Sequence, residues 1–119
     1  LNASGRAPGK ATLAYFKEKG LKDIPTNGPL SWSVPGCVDG WNELRQKFGT
    51  MGFADLLAPS IEYAEKGVPV PEVIAGYWRS VERMKDPGMR ETFLIGDRSP
   101  RAGDVFKNPA LANSYRLIA

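Results

Sequence analysis

Ten prolines and thirteen glycines stand among 119 residues, and this punctuation constrains the fold more than any other feature of the sequence. Proline lacks a backbone donor and clashes with the helical turn before it, while glycine readily leaves a helix. Their spread predicts short helices joined by structured loops rather than long continuous elements. The apolar fraction of 42% and the charged fraction of 24% are those of an ordinary globular chain, not a disordered one. A chain of this length is one domain's worth of protein, or part of a larger one.

The missing residue types narrow the chemistry. There is no histidine and a single cysteine, Cys37. Ser-His-Asp, Cys-His and HExxH chemistry are therefore absent, as are an internal disulfide and a Cys/His zinc site. The net charge of +3 comes from basic residues interleaved with acidic ones. No basic stripe forms, so nucleic acid is not an expected partner. No apolar run approaches the ~20 residues that span a bilayer. The chain opens on Leu1 without the pattern of a signal peptide, as an internal piece of a longer protein would.

Along the chain, Pro8 is placed for a first helical turn and Gly20 for the end of that helix. A turn-rich loop through Pro25, Asn27-Gly28 and Pro29 follows, then a short extended segment at Ser31–Val34. A helix from Val38 carries Val38, Trp41, Leu44 and Phe48 on one face, and Gly49 stands where a left-handed cap would be. Gly40 inside this helix costs about 1 kcal/mol relative to alanine, which predicts a close backbone approach there. Phe53–Leu57 reads as a helical turn, with a restart at Pro59 and a stop at Gly67. Val68-Pro69-Val70 is extended. Pro71 opens a helix whose stripe is Val73, Tyr77, Val81 and Met84, flanked by Ile74 and Trp78. Asp86-Pro87-Gly88 reads as a turn, Glu91–Leu94 as a single helical turn, and Gly96–Gly103 as a solvated polar loop. Asn108-Pro109 is a helix start, with Leu111, Tyr115 and Leu117 or Ile118 inward. This helix meets no stop signal before Ala119, so a longer natural chain is expected. The fold class is mainly α, several short helices joined by Pro/Gly-rich loops.

Four ordered strings resemble the γ-glutamyltransferase family. Val34-Pro35-Gly36-Cys37-Val38-Asp39-Gly40 is similar to its "VPG-x-V-x-G" segment, and Phe48-Gly49-Thr50 to the "FGT" that follows. The run from Leu56 to Gly67 resembles "LLxPAIxLAExG". Gly103-Asp104, then Pro109 with Leu111-Ala112 and the closing Ile118-Ala119, resembles "GDxxxxPxLAxTLxxIA". Together they cover nearly the whole chain. Asn2–Pro8 is similar to the "NGSGRAP" version of the acylase-like branch. Typical transpeptidases instead place an arginine four residues before this proline, where it grips the α-carboxylate of the glutamyl substrate. Ser4 holds that offset here, and Arg6 stands two residues later.

The resemblance implies that residues 1–119 are a single helical segment of the large subunit of an N-terminal-nucleophile hydrolase. In such an enzyme the precursor cuts itself, and the new N-terminal threonine attacks with its own α-amino group as base. The chain's threonines, Thr12, Thr26, Thr50 and Thr92, are not in the family's "TTH" setting, so no catalytic residue is assigned within this chain. Arg6 is the candidate substrate-binding residue, since a guanidinium matches a carboxylate in two-pronged fashion; the other reading is a surface loop arginine. Neither cofactor nor metal is expected. The implied partners are the remainder of the large subunit, the small catalytic subunit and a small γ-glutamyl or related amide. An autonomous all-α binding module is the alternative. Cys37, Trp41 and Trp78 are expected in the core, and Trp32 at a cleft or loop. Asp39 and Glu43 read as acids favourable to a helix N-terminus.

Overall fold

The computed structural model describes residues 1–26 and 28–119; the Asn27 half of the expected turn lies outside the described residues. Two compact units divide the chain, Leu1–Thr50 and Met51–Ala119. The secondary structure is mainly α, with six helices and one two-stranded ladder among the described residues.

In the first unit, α1 spans Leu13–Glu18 and α2 spans Cys37–Phe48. Helix α1 begins later than Pro8 suggests, because Thr12 caps it by accepting from Tyr15 N–H at 3.2 Å. Pro8 instead accepts from Ala11 in the turn before the helix. Gly20 ends the helix with a positive φ of 69°. The extended segment exists, but Ser31 belongs to a short 3-10 turn, Pro29–Ser31, and no strand ladder forms there. Gly49 is extended, at φ −86° and ψ 152°, rather than left-handed. Glycine is still needed there, since a Cβ would meet Arg45 O at 2.7 Å.

In the second unit, α3 runs unbroken over Phe53–Lys66 with Pro59 inside it. The expected restart is absent: a proline forfeits one intrahelical bond, and the turns on either side hold the helix together. Gly67 ends it at φ 89°. Strand β1, Val68–Pro69, pairs antiparallel with β2, Val105–Phe106, which two residues of sequence signal could not announce. Helix α4 spans Glu72–Trp78 and tightens into a 3-10 turn over Arg79–Arg83. Helix α5 is Pro87–Phe93, so the expected Asp-Pro-Gly turn is a helix start, capped by Asp86 accepting from Met89 N–H at 2.8 Å. Helix α6, Pro109–Ile118, has the expected Asn108 cap, at 2.9 Å from Leu111 N.

The core of this unit is formed by Leu57, Val70, Val81, Leu94 and Ala112. Ala112 is fully buried where α6 packs against α3, an interface also held by an Arg116–Glu65 ion pair and by Asn108 N–H donating to Ala64 O at 2.8 Å. Several expected inward positions are exposed: Val73, Tyr77 and Met84 of the α4 stripe, and Leu111 of α6. Of the Leu117 or Ile118 alternative, Leu117 is 90% exposed and Ile118 is the half-buried one. Ala112 marks the buried face of α6 instead. In α4 it is the flanking Trp78, not the Val73–Tyr77 stripe, that packs, with Phe106 and Phe93 at ring centroids 4.6 and 6.2 Å away. No helix among the described residues is long and apolar enough to cross a membrane.

Candidate functional site

The site of the first unit is built from the strap of residues 1–8 and the segment that enters α2. Asn2 Oδ1 accepts from Ser4 N–H at 2.9 Å and bends the strap locally. Val34 N–H donates to Arg6 O at 2.8 Å, tying Arg6 to the extended segment. The Arg6 side chain is exposed and makes no hydrogen bond or ion pair among the described residues, so its guanidinium is free to meet a ligand. Ser4, at the offset where transpeptidases carry their arginine, is exposed as well.

Glycines make this contact possible. A Cβ at Gly5 would collide with Val34 O, one at Gly36 would lie 2.8 Å from Ala3 O, and one at Gly40 would run into the Cβ of Ala3. Gly40 is the buried residue of α2, as its sequence oddity suggested. The strap occupies this glycine face, and the apolar stripe expected to be core is left open: Trp41 is 40% exposed and Phe48 is exposed further. Cys37, expected to be buried, is exposed at the first residue of α2.

Immediately after Arg6, Ala7 and Pro8 wall a cleft. Pro8, Lys10, Tyr15, Phe16, Leu30 and Trp32 line a space of about 220 Å³. Ala7 and Ser33 border a smaller continuation of about 160 Å³. Trp32 thus lines a cleft while remaining largely exposed. The sequence offered only an aromatic in an extended loop as a signal.

In the second unit, the polar loop is better ordered than its composition suggests. Asp104 Oδ2 accepts from Arg98 Nη1 at 2.6 Å and from Arg101 N–H at 2.8 Å. The Arg98 bond and then the Arg101 N–H hold the Asp104 carboxyl below its usual range. Glu82 is lowered by accepting from Ser99 N–H at 2.8 Å and by the Ser99 side chain. Ser99 and Pro100 are buried, which sequence reasoning missed. Glu72, Arg79, Glu82, Arg98 and Arg101 line a cavity of about 670 Å³. Asp39 and Glu43 are exposed on α2. Among the described residues, no group of three His, Cys, Asp or Glu side chains is placed to hold a metal.

The family model for gamma-glutamyltranspeptidase matches residues 1–119. The chain is 39% identical to the oxamate amidohydrolase proenzyme of Klebsiella pneumoniae, an alignment covering 100% of this chain and 24% of that protein. Its backbone superposes on a cephalosporin acylase from Bacillus halodurans with a TM-score of 0.92 and 35% identity, over 99% of this chain and 24% of that one. The Helicobacter pylori gamma-glutamyltranspeptidase gives 0.86 and 28% identity, over 96% of this chain and 34% of that one. The chain therefore spans about a quarter to a third of the length of the proteins it matches.

Proposed function

The chain belongs to the gamma-glutamyltranspeptidase family, and from that premise we propose that it is a helical portion of the large subunit of an amidohydrolase that cleaves or transfers the acyl group of a carboxylate-bearing amide. The observation that carries this reading is the match over every residue of the chain, with a fold superposing on an acylase at 0.92. In the parent enzyme, an N-terminal threonine outside these residues serves as nucleophile, its α-amino group taking the proton. The remaining large subunit and the small subunit are the partners of this segment. The relatives' names, with their repeated "proenzyme", support a parent that is processed before it acts.

Within this segment Arg6 is the substrate-binding residue. Its carbonyl is held by Val34 and its guanidinium is free, so the group is positioned without being consumed by an internal ion pair. Oxamate, named for one relative, carries a carboxylate beside its amide, the feature a guanidinium would grip. The carboxylate orients the amide, and the threonine hydroxyl attacks its carbonyl carbon. The proposed role of Arg6 is to fix the first of these, not to transfer protons.

Arg6→Gln in the full-length parent tests this reading, assayed with oxamate and with γ-glutamyl-p-nitroanilide. A charge-assisted hydrogen bond contributes about 1.5–3 kcal/mol, so KM for the amide that is turned over should rise roughly ten- to a hundredfold. The turnover number should change little. An unchanged KM would assign Arg6 to the surface and remove it from the site.

A further inference from the structure

The strap bearing Arg6 lies against the entry to α2 with almost no side chain in between. Gly36 and Gly40 are one helical turn apart and so share a face. Both meet Ala3: its carbonyl oxygen approaches Gly36 and its Cβ approaches Gly40. From the other side, Gly5 presses its Cα against the Val34 carbonyl, while Val34 N–H holds the carbonyl of the next residue, Arg6. Val34 therefore grips the strap on both sides of the Gly5–Arg6 peptide bond.

We propose that Gly5, Gly36 and Gly40 are positioning residues that set the depth at which the strap sits and thereby aim Arg6 at the substrate carboxylate; this rests on the reading of Arg6 as a substrate-binding residue. The constraint is steric. A side chain at any of the three positions would meet backbone or Cβ atoms that cannot rotate away, so the strap would have to lift as a unit. Arg6, in the strap next to Gly5, would travel with it, and the bond from Val34 N–H to its carbonyl would break. The glycine within α2 is otherwise unfavourable for a helix, and this approach gives it a reason to be there.

The collision partner of Gly40 is a single methyl group, which makes a compensating exchange available. In the full-length parent, Gly40→Ala should raise KM about tenfold with the turnover number nearly retained, since a misplaced binding group costs affinity before chemistry. Adding Ala3→Gly should return KM to the native value by removing the opposing methyl. Hydrogen exchange at the Val34 amide supplies a readout of the strap itself: protected in the native protein, exposed in Gly40→Ala, protected again in the double variant. Should Gly40→Ala not fold, a double variant that folds with native KM supports the proposal equally, and one that folds with a raised KM overturns it. If Arg6→Gln raises KM while Gly40→Ala leaves both KM and Val34 exchange unchanged, the glycine assignment alone is wrong. If Arg6→Gln has no effect on KM, the reading of Arg6 fails and this inference fails with it.

Discussion

Asp104 shows at the scale of one residue how a loop that looks solvated in sequence becomes an ordered element. Its carboxylate receives Arg98 and the Arg101 N–H, while its carbonyl accepts from Val70 N–H at 2.9 Å. Because the folded pKa is depressed, its contribution is fully present above the ordinary carboxylate pKa of about 4. It is lost as pH falls through the lower folded value. Asp104→Asn should therefore lower the melting temperature at pH 7, and the gap from the native chain should close as the pH falls below that range. A gap that persists unchanged into strong acid would show that the charge contributes nothing. The charged residues of this loop were visible in the sequence, but their pairing was not, because the turn that folds Arg98 back onto Asp104 depends on Ser99 and Pro100 being buried. Gly40 was legible in a different way: a glycine inside a helix announced a close approach, yet nothing local pointed to Ala3 as its neighbour.

At the scale of elements, boundaries set by side-chain caps were readable and packing faces were less so. Asn108 before Pro109 caps α6 as its chemistry dictates. The helical period of α6 left Leu117 and Ile118 as alternatives, however, and did not single out the small residue: Ile118 is the half-buried one, Leu117 is exposed, and Ala112 is fully buried in the helix that packs on α3. Ala112→Leu should accordingly destabilise the chain by about 1–3 kcal/mol through overpacking. Leu117→Ala, at a site that is 90% exposed, should change stability by under roughly 0.5 kcal/mol. Urea denaturation of the two variants measures both, and the reverse order of effects would contradict the observed face. Pro59 illustrates the limit of breaker rules, since a helix long enough on both sides absorbs the loss of one hydrogen bond. The β1–β2 ladder, two residues per strand, is too short to leave a periodic signal.

At the scale of the molecule, the family was legible because its motifs are spread over the chain, whereas its apolar exposure was not. Among the described residues Leu13, Trp32, Phe48, Val73, Tyr77 and Leu117 are each more than two-thirds exposed. Helical stripes read from sequence mark apolar faces but do not say which neighbour covers them. Exposed apolar area of this kind accompanies interaction surfaces, in keeping with the proposal that further segments of a parent enzyme pack here. The central claim is that residues 1–119 belong to the large subunit and contain no nucleophile. Determining the new amino terminus of the processed full-length protein tests it most directly. The account predicts that residues 1–119 remain together in the larger fragment and that the smaller fragment begins with a threonine outside them. A new terminus at Thr12, Thr26, Thr50 or Thr92 would contradict it.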